Sequence, residues 1–342
     1  VIAYSDSKNG DLKLATYSGS KWSITTVDGN QLSIGRTNNN VSGYVSMCTS
    51  VVGKTNYLHL FYADLVDKDL RYAVYNGKYW LYEVVDGDGG AIQDYKEFPR
   101  VRGGSDVSVS NACAVTTDGV QVFYRDESQG ILLGAVKDKN EWRYEIVDGD
   151  KDSEERTTGD VGFHLKATTV GKKIHLIYDS VRGFDLDRNV TRGDIRYASR
   201  GSALVEDWVY KTLDVPAEGV AVAGYDVGIF NSKRGINFSW FTASGISFPN
   251  PNQLRYKNLT DTVFTDVSSA NYGKPNSPVS IDEKSILFSC QLRLCSVDKA
   301  DKKISLISSG SIQNEGQSNW ITINKVRYAV AGISGKLTLL KP

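Results

Sequence analysis

Tryptophan recurs along this chain at Trp22, Trp80, Trp142 and Trp208, at intervals of 58, 62 and 66 residues, and Phe264 continues the series at 56. Each aromatic marks the same place in a repeated unit. The stretches VIAYSDSKNGDLKLATYSGSKWSITTVDG, LHLFYADLVDKDLRYAVYNGKYWLYEVVDG and VQVFYRDESQGILLGAVKDKNEWRYEIVDG align, as does the longer IHLIYDSVRGFDLDRNVTRGDIRYASRGSALVEDWVYKTLDV. A fixed long period is the signature of a repeat architecture, in which one unit cannot bury its apolar faces alone.

Within a unit an apolar strand ends in tyrosine and aspartate, and a polar loop follows. A strand of the LRYA type comes next, then a turn, then a strand opened by tryptophan and closed by a Val-Asp or Leu-Asp step. A fourth short strand, such as VSMCTSVV, NACAVTT or LKATTV, precedes these. In chain order these strands are A, B, C and D. Apolar and polar residues alternate with period two, as in Leu70, Tyr72 and Val74 against Arg71, Ala73 and Tyr75. Asn76-Gly77 between C and D is a strong hairpin signal. Four-stranded units in this order predict an all-β fold, a β-propeller of antiparallel blades.

The later units are eroded but countable. INFSWFTAS, QLRYKNLT and VFTDVSS supply B, C and D of a fifth. PVSIDE, ILFSCQL, RLCSVD and KISLISS form a sixth, and WITI, VRYAVAG and KLTLLKP give A, B and C of a seventh. The expectation is one propeller domain over residues 1–342 with seven blades, or six if the ends combine differently. The first unit lacks strand A and the last lacks strand D. The recurring tryptophans are expected in the packing between blades.

Lysine plus arginine equals aspartate plus glutamate at 40 each, which gives no nucleic-acid footprint. No run of 18 apolar residues occurs, so membrane insertion by a helix is not expected. The chain opens at Val1 inside an apparent strand, with no basic and apolar leader in the sequence itself. Cys48, Cys113, Cys290 and Cys295 form no CxxC pair, which argues against zinc. The plain reading is four buried small hydrophobes. The SCQLRLCS segment alternatively allows a cross-link between hairpin strands. Asn40, Asn189, Asn237 and Asn258 begin Asn-x-Ser/Thr sequons.

The phrase AYSDSKNGDLKLATYSGSKWSITTVDG resembles propeller repeats of secreted and cell-surface proteins, well over residues 1–215 and weakly beyond. The resemblance implies a propeller and a secreted or cell-surface location. Sialidase-like and lectin-like propellers are the functional comparisons. The sialidase Asp-box, S-x-D-x-G-x-x-W, has no intact copy: Ser5, Asp6 and Gly10 approach it, but Trp22 lies too far on. Fucose-type lectin propellers hold sugars between blades with arginine, glutamate and aromatic residues. Here a basic residue recurs in strand C at Lys13, Arg71, Arg196, Arg255 and Arg293, and glutamate recurs in strand D at Glu83 and Glu145.

In a propeller the D-to-A and B-to-C loops gather on one face, the default ligand site. The D-to-A loops supply Arg36, Arg100, Arg102 and Arg156, with Tyr95 beside them. Converging guanidinium groups suit a carboxylate or sulfate on a glycan. Asp94, Glu97, Glu154, Glu155 and Asp160 accompany them, and paired carboxylates can serve as acid and base. Histidine occurs three times. His59 and His175 share one repeat position and read as structural. His164 enters an inner strand near Arg156, and with Arg156 and Glu155 it forms the candidate catalytic group of a lyase. The insertion DSVRGFDLDRNVTRGD offers Asp179, Asp185, Asp187 and Asp194 as oxygen donors for calcium, the one cofactor considered, with Asp185 and Asp187 its central candidates.

Three functions fit. The first is a non-catalytic lectin-like or adhesin-like module that recognises a glycan or a cell-surface protein. The second is a polysaccharide lyase or glycoside hydrolase acting at the channel mouth. The third is a structural domain of a larger surface protein. No GxSxG, HExxH, P-loop or GxGxxG context accompanies the repeat.

Overall fold

The computed structural model describes residues 1–30, 33–87, 91–92, 100–101, 105–151, 153–184, 190–203, 207–215, 225–243, 251–263, 265–266, 279–290, 293–308, 319–333 and 335–341. Phe264 lies outside them. All regular elements among the described residues are strands.

The fold is an all-β seven-bladed β-propeller, and each blade is an antiparallel meander in chain order. Blade 1 has strands B, C and D at Ile2–Asp6, Asp11–Tyr17 and Trp22–Asp28. Blade 2 comprises Val45–Val52, Thr55–Asp64, Asp69–Tyr75 and Trp80–Asp86. Blade 3 comprises Asn111–Thr116, Gly119–Asp126, Ile131–Asp138 and Glu141–Asp148. Blade 4 runs through Lys166–Val170, Lys173–Phe184, Val190–Gly201 and Val209–Asp214. Blade 5 has Tyr225–Ser232, Gly235–Ala243, Pro251–Asn258 and the short Thr265–Asp266. Blade 6 has Val279–Ile281, Ser285–Cys290, Arg293–Asp298 and Ile304–Leu306. Blade 7 has A, B and C at Asn319–Ile323, Val326–Ile333 and Lys336–Leu340. The first blade thus lacks A and the last lacks D, as the repeat predicts. One pairing was unforeseen: Ala91–Ile92 pairs with Arg100–Val101 inside the long loop between blades 2 and 3.

Contacts divide the chain into two compact units, residues 1–175 with 198–210 and residues 176–197 with 211–342. In the first unit the core lies between successive blades. Leu12, Val27, Leu60 and Tyr62 are wholly buried where blades 1 and 2 meet. Phe61, Tyr72, Trp142 and Tyr144 fill the space between blades 2 and 3, with the Trp142 ring edge-on to Tyr72 at 5.2 Å. Burial of each such side chain contributes roughly 1.5–3 kcal/mol. In the second unit Phe241, Leu254, Ile286 and Phe288 pack blades 5 and 6 together, and Leu287, Leu294, Ala329 and Ala331 join blades 6 and 7.

A local irregularity recurs in the first three blades. Strand D carries a bulge against strand C, where the register shifts between Leu12 and Lys13, between Leu70 and Arg71, and between Leu132 and Leu133. The bulge breaks the period of two, so consecutive residues turn inward together. Val27-Asp28, Val85-Asp86 and Val147-Asp148 are all fully buried. That is the structural meaning of the Val-Asp step. The glycine after each aspartate has positive φ, and at Gly87 a Cβ would come within 2.1 Å of Asp69 Oδ1.

The tryptophans are graded rather than equivalent. Trp142 and Trp208 are buried, Trp80 is half-buried, and Trp22 is 37 % exposed. The buried pair each donate a hydrogen bond to a glutamate on strand D of the preceding blade: Trp142 Nε1 to Glu83 Oε2 at 2.9 Å and Trp208 Nε1 to Glu145 Oε2 at 3.0 Å. At Trp80 the corresponding residue of blade 1 is Thr25, which sits opposite Leu14 as Glu83 sits opposite Tyr72.

The reading of the cysteines as unpaired hydrophobes is corrected. Cys48 on strand A of blade 2 is bonded to Cys113 on strand A of blade 3, Cα atoms 6.1 Å apart. Cys290 and Cys295 are bonded across the B–C hairpin of blade 6, Cα atoms 5.8 Å apart. Neighbouring strands put the thiols within bonding reach.

Candidate functional site

The buried aspartate that ends strand D organises the junctions that follow blades 1 to 4. Asp28 Oδ1 accepts hydrogen bonds from Gly29 N at 2.9 Å and Thr37 N at 2.8 Å, which fixes the path of the D-to-A loop. Its Oδ2 accepts from the Tyr62 hydroxyl at 2.6 Å and Arg71 Nε at 3.1 Å, both on the next blade. Burial and the adjacent Asp28 carboxylate raise the Tyr62 pKa well above 10, so the phenol remains a donor. The pattern repeats. Asp148 Oδ1 takes Gly149 N and Thr157 N, and Asp86 Oδ2 takes the Tyr124 hydroxyl at 2.7 Å. In blade 5 Trp240 replaces the tyrosine, and its Nε1 donates to Asp214 Oδ2 at 2.7 Å beside Arg255 Nη1 at 2.8 Å.

A second tyrosine, on strand D of the following blade, donates to the carbonyl of the bulge: Tyr82 to Val27 O at 2.8 Å, Tyr144 to Val85 O at 2.6 Å, and Tyr210 to Val147 O. The predicted ligand-binding arginines Arg36 and Arg156 belong to this framework. Arg36 Nε donates to the Tyr82 hydroxyl at 3.0 Å, while its Nη atoms reach Asn30 Oδ1 and Thr26 O at 3.1 Å each. Arg156 Nε donates to the Tyr210 hydroxyl at 3.2 Å and its Nη1 pairs with Asp150 Oδ2 at 2.8 Å. Each guanidinium thus serves a different junction. The two occupy matching places in a Ser-x-x-Arg-Thr motif, residues 33–37 and 153–157, which is legible once the loops are aligned on their aspartates. Arg102, Tyr95, Asp94 and Glu97 lie outside the described residues, as does the side chain of Arg100.

Glu154 and Glu155 are exposed, and Glu154 lies 3.7 Å from Lys151 Nζ. His164 is half-buried. Asp160 binds Arg125 Nη2 at 3.2 Å, and that buried guanidinium also takes Glu127 at 2.6 Å and lies 3.6 Å over the Phe163 ring. Asp185 and Asp187 lie outside the described residues, and Asp179 and Asp194 are buried in blade 4. Among the described residues no three His, Cys, Asp or Glu side chains gather as metal ligands.

The lectin-like residue types meet between blades, but mainly on each other. Glu83 holds Lys137 as well as Trp142. Glu145 holds Arg200 Nη2 at 2.6 Å as well as Trp208, and the Arg200 side chain is wholly buried. Strand C contributes Arg71 and Arg255 to the aspartate clamps above.

His59 and His175 occupy equivalent buried positions, as their shared place in the repeat predicts. His59 lies 2.8 Å from Ser50 Oγ and 2.7 Å from the Tyr72 hydroxyl. Burial lowers both histidines to about 4, with Lys173 adding to the effect at His175. The folded state therefore refuses protons that the unfolded chain accepts below its ordinary histidine pKa of about 6.5. Stability should fall as pH drops from about 6.5 to about 4, by roughly 2 kcal/mol per histidine after discounting for partial solvation. Denaturant titrations across that window should show a shallower pH slope in His59→Gln than in wild type. An identical slope would remove His59 from the account.

An open groove lies along the junction of blades 4 and 5, with a volume of about 520 Å³. Thr212, Leu213, Asp214, Val215, Lys257, Thr262 and Val263 line it. Val215 and Val263 are 49 % and 72 % exposed. Lys211 on strand D of blade 4 stands where blade 3 has Glu145, the residue that accepts from Trp208 at the junction before it. Sequence reasoning marked Leu213 and Asp214 only as the closing step of the repeat and singled out none of the other lining residues. Threonine, valine and lysine on short strands carry no motif, and only the pairing of the two blades brings them together.

No family model matches the chain and no curated protein matches it. Solved structures do. The extracellular domain of the B. thetaiotaomicron protein BT4673 aligns with a TM-score of 0.51 at 12% identity, over 99% of this chain and 38% of that one. A fucose-specific lectin from Aleuria aurantia aligns at 0.47 and 11% identity, over 87% and 95% of the two chains. A nidogen/laminin complex aligns at 0.45 and 10% identity, over 88% and 90%. At such identities the likeness is one of fold, and a propeller fold hosts many activities.

Proposed function

We propose that this protein is a secreted or cell-surface binding module, a non-catalytic lectin-like propeller that takes a glycan in the groove between blades 4 and 5. The groove carries the reading. Its exposed valines offer an apolar surface to the C–H face of a sugar ring. Thr212, Thr262 and Lys257 offer donors and acceptors to hydroxyl groups around it. An apolar floor with a few convergent polar groups is the usual composition of a small-ligand site.

Two further observations support it. Arg36 and Arg156, two of the four arginines expected at the rim, are engaged in the blade junctions. Both disulfides suit an oxidising compartment. No helix among the described residues is long and apolar enough to cross a membrane.

A glycan array probed with the purified chain tests the reading. The best-bound glycan should lose about ten-fold or more in affinity with Lys257→Ala, because a hydrogen bond from a charged donor contributes about 1.5–3 kcal/mol. Val263→Asp should weaken it too, with the thermal midpoint unchanged in both variants. An array without binders, or a binder indifferent to both substitutions, would overturn the assignment. Capture of a surface protein through the same residues would make the module adhesin-like instead.

A further inference from the structure

We infer that Asn40 is an N-glycosylation acceptor. The inference rests on the secreted reading above but not on the glycan groove. Asn40-Val41-Ser42 is one of four sequons, and the described sequons differ sharply in what their side-chain amides are doing.

Asn237 Nδ2 donates to Ser232 Oγ at 2.9 Å and to Gly235 O at 3.1 Å, closing the A–B hairpin of blade 5. Asn258 Nδ2 donates to Arg234 O at 3.2 Å, and the residue is half-buried. A sugar on either nitrogen would replace a donor that the folded hairpin uses. Asn189 lies outside the described residues. At Asn40 the arrangement is reversed. The residue is exposed, and its Oδ1 is the engaged atom, accepting from Ser42 N at 3.0 Å and Ser42 Oγ at 2.6 Å. Its Nδ2 donates to no protein group among the described residues. Gly10 packs beneath the residue, where a Cβ would come within 3.2 Å of Asn40 Cα, so the side chain has support on one side and solvent on the other.

The backbone around Asn40 is fixed independently of the side chain. Val41 N donates to Gly10 O at 2.8 Å, and Leu65 N donates to Asn40 O at 2.9 Å. Blade 3 repeats the turn with Asp106-Val107-Ser108. There Ser108 N and Oγ donate to Asp106 Oδ1 at 3.1 and 2.7 Å, and Val107 N donates to Lys68 O at 3.1 Å. The fold thus holds this turn with either an amide or a carboxylate, and only the amide carries a nitrogen that accepts a sugar.

The reaction joins Asn40 Nδ2 to the anomeric carbon of an oligosaccharide supplied as its lipid pyrophosphate. The N–C bond forms, the anomeric C–O bond to the pyrophosphate breaks, the lipid pyrophosphate leaves, and Nδ2 gives up one proton. No electrons are transferred.

The chain should be expressed behind a cleavable leader in a eukaryotic secretory host, and the secreted protein mapped by peptide mass before and after peptide-N-glycosidase. Translation into microsomes reads the same transfer if the chain is retained in the cell. The expected result is occupancy at Asn40, with Asn237 and Asn258 bare. Asn40→Gln and Ser42→Ala should each abolish the Asn40 modification, and the thermal midpoint of Asn40→Asp should match that of enzymatically deglycosylated wild type, which carries aspartate at the site. A folded, secreted chain with Asn40 unmodified would overturn the inference while leaving the binding reading intact. So would sugar on Asn237 or Asn258 with Asn40 bare.

Discussion

Loss of the Cys48–Cys113 bond should lower stability by about 4 kcal/mol, the loop-closure value for a span of its size. The two cysteines are 65 residues apart and tie the first strands of adjacent blades together. Cys290–Cys295 spans only 5 residues, and its loss should cost about 2 kcal/mol on the same model. Guanidinium denaturation of the double variants Cys48→Ala/Cys113→Ala and Cys290→Ala/Cys295→Ala reads both. The comparison matters more than either value, since truncating the side chains removes similar apolar volume in both. The long-range bond should be the more costly to lose. Equal losses, or a Cys48–Cys113 loss under about 1 kcal/mol, would mean that the blade 2–blade 3 junction is held by its aromatic core alone.

Asp28→Ala should destabilise the protein by about 3–5 kcal/mol, because it strands the largely buried guanidinium of Arg71 without its carboxylate. The same substitution leaves the Tyr62 hydroxyl and two loop amides without an acceptor. In blade 3 a leucine occupies the place that Arg71 has in blade 2. Leu133 sits opposite Tyr124 there, as Arg71 sits opposite Tyr62. Adding Arg71→Leu to Asp28→Ala should therefore recover part of the loss, and the double-mutant cycle should return a coupling above about 1 kcal/mol. Strictly additive losses would show that Asp28 acts through the loop amides and Tyr62 without help from the charge.

The repeat itself was legible because each blade is a local meander. Strands A to D follow one another with short turns, so their alternation, their turn residues and their number are properties of contiguous sequence. Asn76-Gly77 is read correctly in that way, with Gly77 at a φ of 89°. His59 and His175 were assigned to structure by their shared place in the period. The erosion of blade 5 was legible as lost similarity. That Trp240 there does the work of Tyr62 was not, because tyrosine and indole are interchangeable only as donors to a particular oxygen.

What tertiary structure decided lies between the blades. Whether Arg36 or Arg156 faces a ligand depends on Tyr82 and Tyr210, 46 and 54 residues away. The partner of Cys48 is set by the packing of strand A of blade 2 beside strand A of blade 3, not by the spacing of cysteines. The groove of blades 4 and 5 lies where one blade carries Lys211 on its outer strand at the place of a glutamate and the next presents Lys257 and Thr262. A sequence determines what each blade can bury and where it must turn. It does not show which polar groups find partners on the neighbouring blade. A satisfied guanidinium and an open one are the same residue until the neighbour's acceptors are placed beside it.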